Sequence, residues 1–495
     1  MRRSEDMTLS SIQTVEDRRG ARRRQYASAS GRLRQLITRT AGEFVTGRGW
    51  LGIALAVLLL VGGAFAWVRF ESKAPSVEGP ASLLIGSLGS VAFDIGDLGS
   101  GLREVLISVQ QADGETVLFE RSFPGDLRTG GNTPGIPERF EIEIDPKALG
   151  LAHGDANLTV TARDWSWRNS FRGNETRHEI PLKIDLKDPR IQVASGLTYV
   201  SRGGSGSVSY AINEETARDG VMVGANFYRG FPAPGVAASS GQRFALFAIP
   251  TDAPKGARIA VIAEDRAGNI ATVSWSVVLK ERVLPDANIT LPDRFLETKV
   301  RNLADAANIP QDDLVRAFDQ INTELRAANE AKIREVVANP SESKLWNGAF
   351  TQLRNSKVTS KFAEQRSYFV NGKKISKATH FGYDLASTAG APIEAANSGL
   401  VIFADDLGIY GNCVIIDHGM DLFSLYAHLS SMSVSAGDRV EKNDTLGLSG
   451  ATGLAGGDHL HFAILLGGTY VEPLEWWDPL WVKTHIDAHL STPAR

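Results

Sequence analysis

Residues 457–466 read Gly-Asp-His-Leu-His-Phe-Ala-Ile-Leu-Leu, and the spacing inside this stretch decides how the C-terminal part of the chain is read. The apolar run that follows His461 is strand-like. On a strand, positions i and i+2 share a face. His459 and His461 would then point to one place, about 7 Å apart along the backbone, with Leu460 on the other side. On a helix the same two rings would diverge by about 200°. The glycine-rich approach from Gly450 to Gly457 suits a loop packed close to a site. No Lys or helix signal follows it, so it does not read as a phosphate loop.

Working outward, seven of the nine histidines lie from His380 onward. In His380-Phe-Gly-Tyr-Asp384 the His and Asp would be about 13 Å apart on an extended strand, but Gly382 between them permits a bend that brings both side chains together. In Ser424-Leu-Tyr-Ala-His428-Leu429, alternation puts Tyr426 and His428 on one face and Leu425, Ala427 and Leu429 on the other. The single cysteine, Cys413, excludes a disulfide framework and any multi-cysteine metal site, so a metal would have to use His, Asp or Glu. Cys413 itself reads as a small buried hydrophobe in an apolar run. The chain lacks a His-Glu-x-x-His helix, which excludes the thermolysin arrangement. Zinc enzymes use three protein ligands plus water, which leaves histidines over for acid–base work. Spacing alone does not say which residues take which task.

Residues 357–480, a quarter of the chain, resemble the lysostaphin-type zinc endopeptidases, the LytM-domain peptidoglycan hydrolases. The resemblance runs in order through Phe362-Ala-Glu-Gln-Arg-Ser-Tyr368, His380-Phe-Gly-Tyr-Asp384 and Gly411-Asn-Cys-Val-Ile-Ile-Asp-His-Gly419. It continues through Tyr426-Ala-His-Leu429, Gly447-Leu-Ser-Gly450, Gly457-Asp-His-Leu-His-Phe462 and Glu472-Pro-Leu-Glu-Trp-Trp477. It implies a compact antiparallel β-sheet domain with an open groove. It also implies one zinc ion held by His380, Asp384 and His461, with His428 and His459 as the two catalytic histidines beside it. Asp458 stands where the family often has Pro, and Ala455 where a small hydroxyl residue is common; both bear on substrate preference rather than on metal binding. His418 matches a family position and is expected to support a turn or a ligand. His485 and His489 are expected to be solvated, and His153 and His178 carry no signal.

The whole chain, 495 residues with a pI of about 6.2 and net charge −4, reads as multidomain and globular and gives no support to nucleic-acid binding. Residues 1–49 hold eleven Arg, no Lys and five acids, a charge of +6 that leaves −10 for the other 446 residues. Residues 50–68 are uncharged and bounded by Trp50 and Val68; as a helix they span roughly 28 Å, enough to cross a bilayer core. Trp50 and Trp67 at the ends and the Arg-rich flank predict a single-pass anchor in the cytoplasmic membrane of a bacterium, N-terminus inside. Cleavage after Ala64-Phe65-Ala66 is the alternative, disfavoured by the long leader.

Beyond a linker at 71–80 the chain is expected to be mainly β. Phe140, Ile142 and Ile144 alternate with Glu141 and Glu143, as on a strand with one wet face. Asn157-to-Asp164, followed by Asn169, looks like Arg258-to-Asp265, followed by Asn269. That repeat predicts two immunoglobulin-like β-sandwich domains, at 80–187 and 188–283. Their expected role is spacing, with substrate binding, autoinhibition or docking of an envelope protein partner as alternatives. Residues 286–345 are expected to form a helical connector, since Leu303, Ala306, Ala307, Leu314, Ala317, Phe318, Ile321 and Leu325 fall at helical intervals, with a helix start at Pro310-to-Asp313. The peptidase domain is expected at 346–482 and a tail at 483–495. The resulting expectation is a membrane-anchored zinc endopeptidase of peptidoglycan cross-links, its catalytic domain extracytoplasmic. The alternative is a non-enzymatic LytM-domain regulator that activates a wall amidase.

Overall fold

The computed structural model describes residues 47–132 and 136–490. The Arg-rich segment therefore falls, up to residue 46, outside the described residues, as does the tail beyond 490. The chain divides into two compact units.

The first unit holds residues up to 83, 90–144 and 156–182. It opens with the helix Gly47–Arg69, whose stretch Trp50–Arg69 is long and apolar enough to cross a membrane and, apart from Arg69 at its end, is not buried by protein. The strands that follow alternate as their sequence demands. Glu138–Ile144 buries Phe140, Ile142 and Ile144 and exposes the two intervening Glu residues. Leu102–Gln111 buries Val105, Ile107 and Val109 and pairs antiparallel with both Gly114–Ser122 and Gly154–Asp164. Phe140 meets Phe119 and Phe123 edge-on, which joins the two sheets of this unit.

The same Asp/Asn turn occurs in both units, with Asn174 rather than Asn169 in the place of Asn269. Asp164 Oδ1 accepts from the backbone N–H groups of Ser166 and Asn174, and Asn174 Nδ2 returns a 2.8 Å bond to Asp164 Oδ2. In the second unit Asp265 Oδ1 accepts from Ala267 and Asn269, and Asn269 Nδ2 donates to Asp265 Oδ2 over the same 2.8 Å. Asn169 instead sits at φ 50° in a short turn and donates to Gly173 O. The insertion between Asp164 and Asn174 hid the match.

The second unit holds 84–89, 145–155 and 183 onward. A seven-stranded sheet spanning Ile191–Val273 comes first. The segment expected to be helical from 286 begins instead with a strand. Asp286–Thr290 pairs in parallel with Glu364–Val370 and adds a third strand to the hairpin that Glu364–Val370 makes with Lys373–His380. Its partner lies almost eighty residues on, a pairing that local periodicity does not reveal. Helical turns then cover 293–306 and 314–336. Asp313 caps the second run, its carboxylate accepting from Val315 N and Arg316 N. Beyond Val336 the chain leaves the helix and runs irregularly to Lys357.

The C-terminal sheet contains eight strands among the described residues. Its path runs Lys357–Ser360, Tyr383–Ala386, Leu460–Leu466, Leu422–Leu429, Asn412–Gly419, Gly399–Asp406 and Arg439–Val440, with Thr469–Val471 paired to Leu460–Leu466. The two central strands, Leu422–Leu429 and Leu460–Leu466, are buried along their whole length. On one face Trp477 stacks on Phe462, and Phe462 packs against Tyr426. The tail expected to be solvated is docked as far as it is described. His485 lies parallel to Trp481, and His489 Nδ1 sits 2.8 Å from Ser207 Oγ, where burial lowers its pKa. Cys413 is buried, and burial raises its thiol pKa out of reactive range.

Candidate metal centre

The bend foreseen at Gly382 is the point at which the chain changes sheets. His380 ends the strand Lys373–His380 of the three-stranded sheet, and Asp384 lies in Tyr383–Ala386 of the large one. There Asp384 is directly opposite His461 across an antiparallel pair, so both side chains rise from the same face. An added Cβ on Gly382 would stand 2.5 Å from His461 Cε1 and 2.7 Å from Phe462 O, so this close approach requires glycine.

Three ligand-type atoms converge as a result. Asp384 Oδ1 lies 3.0 Å from His380 Nε2 and 3.0 Å from His461 Nδ1. His380 Nδ1 is 3.0 Å from Lys361 O, which orients the ring with Nε2 toward the cluster. All three residues are buried. Burial pushes His461 down to about 4, so its ring is neutral. Burial alone would raise the Asp384 pKa, but the charge and hydrogen bonds of His380, and those of His459 and His461, hold it well below the usual carboxylate range. Two imidazole nitrogens and one carboxylate oxygen form a donor set suited to zinc or a similar divalent ion. His461 Nε2 is buried without a hydrogen-bond partner, consistent with a ring oriented by what its Nδ1 holds.

His428 and His459 flank this triad. Their ring centroids are 4.9 Å apart, and His428 is 5.9 Å from His461. Each is oriented through Nδ1, His428 to Thr452 O at 2.8 Å and His459 to Gly457 O at 2.8 Å, so each offers Nε2 to the cavity. His459 Nε2 comes within 3.5 Å of Asp384 Oδ1. Burial lowers the His428 pKa, and the neighbouring His459 and His461 add to that. For His459 burial acts downward too, but the Asp384 carboxylate outweighs it and raises the pKa above 6.5.

His459 and His461 line the cavity together while Leu460 lies on the opposite side with Tyr426 and Phe462. The expectation that Tyr426 and His428 share a face is wrong. His428 adopts φ 67°, a left-handed conformation at a bulge in Leu422–Leu429, which rotates its ring onto the His461 face. Thr452 Oγ1 and Asn412 Nδ2 both donate to Leu429 O, the next residue, and support this strand end.

Sequence reading assigned no role to Arg366. Its Nη2 donates to Asp384 Oδ2 at 3.0 Å and its Nε to Glu364 Oε1 at 2.9 Å. One Asp384 oxygen is thus held by a guanidinium while the other faces the two imidazoles. Asp458 bridges loops, accepting from Ser449 Oγ and Gly390 N, and Ala455 is buried. His418 is fully buried between Ser398 O and Ser424 Oγ, with its pKa pushed down to about 4 by burial, which suits support of the fold.

The cavity around the centre has a volume of about 130 Å³. Part of its wall, Arg326, comes from the helical segment. That segment is fastened to the sheet domain: Asn329 Oδ1 accepts from Ile409 N, and Tyr410 Oη donates to Glu330 at 2.6 Å.

Residues 378–473 match the family profile described as Peptidase family M23, and the chain carries an M23 domain, of LytM type, there. Peptidoglycan DD-endopeptidase ShyA of Vibrio cholerae serotype O1 is 33% identical over 119 residues, covering 24% of this chain and 27% of that protein. DD-carboxypeptidase/endopeptidase Mpg of Neisseria meningitidis serogroup B is 38% identical over 95 residues, 19% of this chain and 22% of that protein. The chain thus spans about a quarter of the length of the curated relatives it matches. Among solved structures, a putative peptidase M23 from Pseudomonas aeruginosa aligns at 20% identity and a TM-score of 0.36, over 56% of this chain and 95% of that one.

Proposed function

We propose, from the M23 domain at 378–473, that the protein is a membrane-anchored zinc endopeptidase that hydrolyses peptide cross-links of bacterial peptidoglycan. The observation that carries this reading is the convergence of His380 Nε2, Asp384 Oδ1 and His461 Nδ1 at about 3 Å, beside two further imidazoles that offer Nε2. His380, Asp384 and His461 would hold one zinc ion. When bound, such an ion supplies Lewis acidity, lowering the pKa of a water ligand toward about 7 and polarising the scissile carbonyl.

The chain's own groups do the rest. Arg366 fixes the Asp384 carboxylate, so one oxygen stays directed at the imidazoles. His428 and His459 each hold a proton at Nδ1 against a backbone carbonyl, which leaves Nε2 of each free to take a proton from the attacking water or, once protonated, to hydrogen-bond the developing oxyanion. The relatives named as DD-endopeptidases support a wall peptide as substrate. The apolar helix Gly47–Arg69 and the basic residues before it support an anchor with the catalytic domain outside the cytoplasm.

Digestion of purified sacculi by the full-length protein, with and without a chelator, tests the proposal. Cross-linked dimers should disappear from the mass profile only without chelator. Unchanged dimers at stoichiometric zinc would point to the amidase-regulator reading.

A further inference from the structure

We infer that Arg326 is a specificity residue that binds a free carboxylate on the substrate peptide, within a residue or two of the scissile amide. This rests on the endopeptidase reading and adds a substrate feature to it. Arg326 lies outside the M23 stretch, on the helical segment, yet lines the same cavity as His380, Asp384, His428 and His459.

Its placement is built. The wide helical turn Ile321–Leu325 carries Asn322, which is only 2% exposed. Asn322 Nδ2 donates to Ser376 Oγ at 2.9 Å and to Lys377 O at 3.1 Å, on the strand that delivers His380. Its Oδ1 accepts from Arg326 Nη2 at 2.8 Å, and its backbone O from Arg326 Nε at 3.2 Å. One buried amide thus locks the helix to the catalytic strand and fixes the guanidinium by two bonds to a neutral residue.

The charge is unanswered. Arg366, the other arginine of the cavity, is paired with Glu364 and Asp384. Among the described residues Arg326 enters no ion pair, and its guanidinium hydrogen-bonds Asn322 alone. Asp384 is the sole carboxylate lining the cavity, and Arg366 already engages it. A bound divalent ion would add to the positive excess. A preoriented guanidinium in such a wall selects a planar anion that it can grip with two N–H groups, and on a peptide that group is a carboxylate.

The test uses full-length protein in detergent and two synthetic cross-linked peptide dimers. One carries a free carboxylate on the residue adjoining the scissile amide; the other carries a carboxamide there. The wild-type protein should favour the acid by about 10- to 100-fold in kcat/KM, the size expected of a hydrogen bond to a charged group. Arg326→Ala and Arg326→Gln should collapse that ratio toward one, and Arg326→Lys should restore part of it. Because each ratio is measured within a single protein, reduced folding cannot mimic the result. Equal cleavage of both dimers by the wild type, or an unchanged ratio in Arg326→Gln, would overturn the inference and leave the endopeptidase reading standing. Cleavage of neither dimer by zinc-loaded wild type would overturn both.

Discussion

His380 Nε2 and His461 Nδ1 lie 2.9 Å apart, although they are 81 positions apart in the chain. With both ring nitrogens unprotonated, as metal ligands must be, their lone pairs would repel at that distance. A shared cation between them, completed by Asp384 Oδ1, turns the repulsion into coordination. His461→Ala should therefore lose both zinc and hydrolysis, as should Asp384→Ala. Elemental analysis of the purified variants checks this; stoichiometric zinc in His461→Ala would remove that residue from the ligand set.

His459→Ala and His428→Ala should behave differently. Neither ring is needed to complete the triad, so each variant should keep its zinc. Each should lose hydrolysis by about 10²- to 10⁴-fold, the usual scale of one acid–base group. Metal content beside a sacculus-digestion rate separates the two effects. If His459→Ala lost zinc while His461→Ala kept it, the roles of the pair would be exchanged.

Gly382→Ala tests the bend. The new methyl group would fall 2.5 Å from His461 Cε1 and 2.7 Å from a backbone oxygen, and neither neighbour is the free end of a flexible chain. We expect a stability loss of about 1–3 kcal/mol, the usual cost of overpacking, and weakened zinc binding. A metal titration indistinguishable from wild type would show that His461 has room the geometry does not indicate.

Glu475 gives a pH prediction away from the centre. Burial, and then the charge of Glu472, raise its pKa from 4.5 to about 7, against the hydrogen bond its carboxylate accepts from Ser205 N. The folded state therefore holds a proton that the unfolded chain releases near 4.5. Its contribution to stability is full below about pH 4.5 and is lost as pH rises through about 7. Glu475→Gln keeps an acceptor for Ser205 and removes the ionisation, so it should be more stable than wild type above pH 7, by up to about 3 kcal/mol. Parallel plots of melting temperature against pH for the two proteins would refute this.

Much of the centre was legible because its geometry is local. A two-residue period places His459 with His461, and a glycine between His380 and Asp384 announces the bend. What stayed hidden depends on backbone or on distant pairing. His428 reaches the cavity through a left-handed φ, which no alternation rule foresees in a histidine. Arg366 reads as an ordinary strand residue until the fold brings Asp384, from a different sheet, within reach of its guanidinium. Arg326 and Asn322 lie in a segment whose periodicity speaks only of helix. The strand Asp286–Thr290 looked like part of that helix because its partner is distant in sequence.

That strand has a practical consequence for anyone cutting the gene. A fragment begun at residue 346, where the catalytic part looks self-contained, would expose the backbone edge of Glu364–Val370 that Asp286–Thr290 now covers. It would also shed Asn329 and Glu330, and with them the bonds that anchor the loop carrying Ile409 and Tyr410. An uncovered strand edge is a template for pairing with a second chain. The unit for expression should start ahead of Asp286, so the stretch that matches the family profile is shorter than the one that must be kept in hand at the bench.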